Sequence, residues 1–276
     1  MSSAPMPTIF IPHGGGPWPF VDLGSRFGEQ EMQHLKQFLE QYPKTLPRQP
    51  KALLVISAHW EAPVATLGTA EQPDMLYDYY NFPEAAYHIQ WPAPGCPELA
   101  PRVAELLHKA GFATDADDQR GYDHGTFVPL KLMFPDAQIP VLQLSLMRNL
   151  DAAKHIELGK ALQPLRDEGV LIIGSGMSFH NLKRLRQHDT PDISKPFDEW
   201  LKEVVALKPE CRQRKLGDWI CAPNARIAHP RAEHLLPLMV VTGAAGNDHG
   251  RVVFNGLFAN SWVTGVEFCR ACQQLV

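Results

Sequence analysis

The stretch Thr8-Ile9-Phe10-Ile11-Pro12-His13-Gly14-Gly15-Gly16-Pro17 decides how the rest of the chain is read. Its apolar start predicts a short buried strand, and a histidine followed by three glycines ends that strand abruptly. Glycine lets the backbone turn sharply and pass close to a ligand, because no Cβ stands in the way. A strand end that offers one imidazole beside bare backbone is a natural ligand position in an α/β fold.

Outward from this point the same pattern recurs. Ala52-Leu53-Leu54-Val55-Ile56-Ser57-Ala58 is an apolar run without alternation, the mark of a strand covered on both faces, and it delivers His59-Trp60-Glu61. Val170-Leu171-Ile172-Ile173 is a second such run and leads into Gly174-Ser175-Gly176-Met177-Ser178-Phe179-His180-Asn181. Further strands are expected at 64–67 and 139–144, with a closing antiparallel pair at 251–254 and 262–268. Helical spacing marks 29–42, 97–110, 151–167, 194–207 and 235–241, and Thr126 is the expected cap of a helix over 127–134. The alternation predicts an α/β fold in one domain, residues 1–276. A mostly parallel, mixed central sheet is flanked by helices and carries an antiparallel edge.

Composition narrows the function. The 276 residues are 45% hydrophobic and 20% charged, which leaves ample material for one large core. A net charge of −4 supplies no basic field, so neither nucleic acid nor an anionic membrane is an expected partner. No basic segment precedes an apolar run, and no apolar window reaches about 18 residues, so a cytoplasmic location is expected. Five cysteines, an odd number, do not form a disulfide framework. Cys269-Arg270-Ala271-Cys272 has the spacing of a redox or zinc pair, but it lacks a second pair and that reading is set aside. Twenty-five prolines, placed singly between elements, imply stiff ordered loops. Oligomeric state leaves no trace in the sequence.

Among twelve histidines, three share a topological position. His13, His59 and His180 each follow an expected strand, and imidazoles gathered at carboxyl strand ends suit zinc, iron, copper or nickel. His124, in Asp123-His124-Gly125, has a carboxylate beside it that could fix its tautomer. His229 and His234 flank Pro230, and either could turn into the site. His34, His108, His155 and His188 fall on expected solvated faces, and His88 and His249 remain open. The aromatic loop at 71–96 supplies Tyr79, Phe82, Tyr87 and Trp91 as candidates for a wall that receives a ring.

Taken in order, His13-Gly14, Ser57-Ala58-His59-Trp60, Phe82-Pro83 with Trp91-Pro92-Ala93-Pro94-Gly95, Asp123-His124-Gly125, Gly174-Ser175-Gly176 with His180-Asn181-Leu182, and Glu233-His234 before Leu236-Pro237-Leu238 span nearly the whole chain. Together they resemble the class III extradiol ring-cleavage dioxygenases, in the 4,5-DOPA extradiol dioxygenase branch. One departure is Gly15-Gly16, where members often carry a serine. The resemblance implies that His13, His59 and His234 bind a divalent metal, with His180 as a fourth ligand or an acid/base and His124 contacting substrate or oxygen. It implies Fe(II) in the active form, with Zn(II) possible in purified protein. The substrates would be a catechol such as DOPA and O2, and the product a muconic semialdehyde. Two other readings stay in view: a zinc hydrolase with Glu61 or Glu233 as base, and a non-catalytic metal-binding protein.

Overall fold

Strand propensity and burial agree most closely where the apolar runs are longest. The computed structural model describes residues 4–22 and 28–270. Among them, eight strands form one mixed sheet: β1 (Thr8–Pro12), β2 (Ala52–Ala62), β3 (Ala65–Gly68), β4 (Thr114–Asp117), β5 (Val141–Met147), β6 (Val170–Gly176), β7 (His249–Phe258) and β8 (Ser261–Cys269). Their order is β4-β3-β5-β2-β6-β1-β8-β7. β1, β5 and β6 are buried at every residue, as continuous apolar runs require when helices cover both faces.

The four central strands β5, β2, β6 and β1 run parallel. The expected antiparallel edge is present, because β8 pairs antiparallel with both β1 and β7. A second reversal occurs at the other side, where β3 lies antiparallel to β5. The helices are α1 (Glu29–Gln41), α2 (Ala100–Lys109), α3 (His124–Met133), α4 (Ala152–Leu162), α5 (Thr190–Val205), α6 (Pro209–Gly217), α7 (Ala225–Ala228) and α8 (Leu236–Ala244). All of α8 is buried, and Thr8 donates its hydroxyl to the Val241 carbonyl at 2.9 Å, which fastens that helix to β1.

The structure departs from the sequence reading in five places. β2 continues through His59 to Ala62, whereas its pairing with β6 stops at Ser57 and its register with β5 shifts between Ile56 and Glu61. His59 therefore stands where the strands part, still at the carboxyl end. The cap of α3 is Asp123, whose carboxylate accepts from the Thr126 backbone N–H at 3.1 Å. Aspartate is at least as strong a cap as threonine, so the helix starts earlier, at His124. β4 and α6 were not foreseen. His155, expected at the surface, is fully buried. Its Nε2 accepts from the Met147 N–H at 3.0 Å and its Nδ1 lies 2.6 Å from the Asp151 carbonyl, so it pins β5 to α4. Cys272 lies outside the described residues. No helix among the described residues is long and apolar enough to cross a membrane.

Candidate active site

His13 follows β1 directly, and its N–H donates to the Gly176 carbonyl at the end of β6. The turn after it requires glycine: Gly14 has φ +83°, and a Cβ there would collide with the Trp18 ring. His59 arrives from the other side of β6 on β2. Gly125, in the first turn of α3, lets that helix pass behind it, since a Cβ would meet the Ser57 hydroxyl at 2.7 Å and His59 Cδ2 at 3.0 Å. His234 sits just before α8, and its carbonyl accepts from the Met177 N–H at 3.0 Å. The three rings converge, with centroids 5.0 Å apart for His13 and His59, 5.3 Å for His13 and His234, and 4.8 Å for His59 and His234.

Carboxylates behind the rings decide which nitrogen faces inward. Glu233 Oε1 lies 2.9 Å from His234 Nδ1, and Asp78 Oδ2 lies 3.3 Å from His59 Nδ1. An ionised carboxylate only accepts, so the hydrogen bond to Glu233 puts the His234 proton on Nδ1, and the nearby charge of Asp78 favours the same tautomer in His59; each Nε2 then presents a lone pair. Those two Nε2 atoms approach to 3.3 Å. His13 is 2% exposed, and neither of its nitrogens has a hydrogen-bond partner.

Burial, reinforced by the neighbouring histidines, pushes His13 and His59 well below the ordinary imidazole value. Burial also pushes His234 down to about 3, although Glu233 works in the opposite direction. Glu233 itself would be raised by burial, but hydrogen bonds from His180 and His234 outweigh this and hold it well below the usual carboxylate range. The rings are thus neutral at physiological pH, as metal ligation requires.

These residues fit a divalent transition ion. Two nitrogens on one ion at about 2.1 Å stand roughly 3.0–3.4 Å apart in octahedral or tetrahedral geometry, the separation seen between His59 and His234. A buried imidazole with two unpartnered nitrogens is costly unless a ligand satisfies it. Donor atoms of His13, His59 and His234 all lie within 4.8 Å of one another.

His180 and His124 flank this trio. His180 stacks on His234 with centroids 3.3 Å apart, and its Nδ1 faces Glu233 at 3.5 Å. His124 lies 4.0 Å from His59, centroid to centroid. Its partner is not Asp123, which is engaged by Ser57, Arg120 and the Thr126 N–H. Asp78, from the aromatic loop, takes both the His124 backbone N–H at 2.9 Å and Nδ1 at 2.7 Å. His229, the alternative to His234, is fully buried between Phe197 and Trp219 with Nε2 on the Ser178 carbonyl at 2.9 Å. It braces the turn that carries His180.

The aromatic loop divides. Tyr79 packs 5.8 Å from His124, and Phe82 and Tyr87 pack against Tyr79. Trp91 instead belongs to the core: it is 1% exposed, lies against Tyr122 and donates its indole N–H to the Phe134 carbonyl. Neither acid considered as a hydrolase base stands ready, since Glu61 is paired with Arg231 and Glu233 with two histidines. Asp78 was missed because its loop carries no motif; only folding brings it to the two histidines.

A mixed α/β sheet whose carboxyl end gathers buried neutral imidazoles defines a candidate non-haem metal centre. Residues 7–267 match the family described as the catalytic LigB subunit of aromatic ring-opening dioxygenase, and the chain belongs to that family. It is an extradiol ring-cleaving dioxygenase, as the relatives also indicate. A 4,5-DOPA dioxygenase extradiol from Beta vulgaris is 40% identical over 268 residues, covering 94% of this chain and 92% of the relative. Another of that name from Escherichia coli K12 is 35% identical over 247 residues, covering 88% and 87%. The crystal structure of an uncharacterized protein from Escherichia coli K12 superposes with a TM-score of 0.77 at 30% identity, covering 95% of this chain and 99% of that one.

Proposed function

We propose that His13, His59 and His234 hold one divalent metal, Fe(II) in the active form, within a single catalytic domain spanning residues 1–276. The substrate is a catechol of the DOPA type, opened with O2 to a muconic semialdehyde. The supporting observation is the 3.3 Å approach of the His59 and His234 Nε2 atoms, with each Nδ1 facing a carboxylate. Zn(II) suits the same nitrogens and binds more tightly than Fe(II), so aerobic purification favours it.

Bound Fe(II) supplies redox-active Lewis acidity toward a catecholate and O2, chemistry that zinc lacks. The protein's own residues do the rest. His180, with Nδ1 toward Glu233, receives a catechol proton at Nε2, and Glu233 offsets the charge that forms. His124, with Nδ1 on Asp78, handles a second proton at its Nε2. Tyr79 and Phe82 offer the substrate ring an apolar wall, and holding both reactants in one place removes much of the entropic barrier.

Metal-free protein reloaded anaerobically with Fe(II) should, on exposure to O2, consume one O2 per DOPA and yield a muconic semialdehyde, whereas Zn(II)-loaded protein should not. Equal rates with zinc, after iron is rigorously excluded, would defeat the ferrous assignment.

A further inference from the structure

Asp78 faces two histidines with different tasks. Its Oδ1 is held by two donors of one residue, the His124 backbone N–H at 2.9 Å and Nδ1–H at 2.7 Å. Its Oδ2 is left to His59 Nδ1 at 3.3 Å. The three side chains also form a group that could hold an ion. Yet 2.7 Å is a hydrogen-bond length, shorter than the roughly 3.0–3.4 Å expected between two ligands of one ion. An ion there would also compete with the backbone N–H for Oδ1. We infer that Asp78 is a positioning residue whose two carboxylate oxygens fix the Nδ1–H tautomers of His59 and His124 together, so that both Nε2 atoms face the metal centre.

The inference rests on the reading of His59 as a metal ligand, and the chemistry of the carboxylate carries it further. Only a group with two acceptor oxygens can serve both rings at once. In Asp78→Asn the single oxygen stays with His124, where two N–H donors converge on it. The new NH2 then faces His59 Nδ1 and can only donate to it. His59 must carry its proton on Nε2, aimed at the site, and its lone pair is lost to the metal. Asp78 side-chain exposure is 21%, so a near-isosteric change on this loop leaves the fold intact.

Two measurements test this. Histidine-15N NMR on the metal-free protein should show Nδ1–H at both His59 and His124 in the wild type. In Asp78→Asn, His59 should switch to Nε2–H while His124 keeps its tautomer. Chelator competition with Zn(II), a redox-inert probe, should give about 10–100-fold weaker binding in Asp78→Asn, as for other partners of metal-bound histidines. Wild-type tautomers and wild-type zinc affinity in Asp78→Asn would overturn the inference. A folded wild type that binds no zinc would instead sink the metal reading of His13, His59 and His234. The wild-type tautomers test Asp78 without any variant: Nε2–H on metal-free His59 contradicts it.

Discussion

The two ends of β1 bury polar groups in opposite ways. Near its amino end, Arg166 donates from Nε to the Met6 carbonyl at 2.7 Å, from Nη1 to the Ala244 and Ala245 carbonyls at 3.1 and 3.0 Å, and from Nη2 to Asp248. Neighbouring Arg212, with two unpartnered nitrogens, lies over the Phe268 ring. At the carboxyl end, His13 is equally buried and both of its nitrogens have no partner. Arg166 and His13 are both buried, but only Arg166 is satisfied. Arg166 is closed by the protein's own groups and Arg212 rests on an aromatic face, whereas both nitrogens of His13 point into the histidine cluster without a partner.

Exchanging the two ends should give opposite losses. His13→Ala should abolish stoichiometric metal and ring cleavage, while the metal-free variant unfolds within about 1 kcal/mol of wild type, since an unsatisfied group is removed. Arg166→Met should cost about 3–5 kcal/mol of stability by stranding Asp248, yet retain metal and wild-type kcat where it is folded. Metal analysis and denaturant titration on both variants check this. A destabilised but metal-replete His13→Ala would break the contrast.

Within the open end, ligands and proton-handling groups should separate. His180→Ala and His124→Ala should keep at least half of their Fe(II) and lose roughly 10²–10⁴-fold in kcat. Iron titration with single-turnover O2 kinetics decides it. Loss of iron in His180→Ala would make that residue a fourth ligand, and an unimpaired His124→Ala between pH 6 and 9 would remove it from the mechanism.

The smallest effect is a pH slope. Burial holds His13, His59 and His155 below the ordinary imidazole value, His229 at about 4 and His234 at about 3. Below about pH 6.5 the unfolded chain binds protons at these positions and the folded chain does not. Stability of the metal-free protein should therefore fall as pH drops from about 7 toward 4. The slope should be shallower in His13→Ala. Denaturant midpoints at pH 7 and pH 5 test the sign, and greater stability at pH 5 would reverse it.

Much of this was legible in the chain because the central strands are continuous apolar runs that end in glycine and histidine. Helix 29–42 was visible from the helical spacing of its apolar residues, and the antiparallel β7–β8 pair was expected as well. β4, reading Thr-Asp-Ala-Asp, was not visible, because it is a short polar edge strand held by β3 and carries no hydrophobic period. His155 looked solvated because its two partners, Met147 N–H and the Asp151 carbonyl, are backbone groups that no pattern announces. His229 and His234 were indistinguishable by spacing. Only packing separates the one wedged between Phe197 and Trp219 from the one facing His59. Asp78 needed the long aromatic loop to fold back across α3.

X-ray absorption at the iron edge of the Fe(II)-loaded protein tests the central claim most directly. A first shell containing three imidazole nitrogens, unchanged in His180→Ala, with stoichiometric iron lost in His234→Ala, is the predicted result for the group formed by His13, His59 and His234. Fewer than three imidazoles in the wild type, or a shell unaltered by His234→Ala, would contradict it.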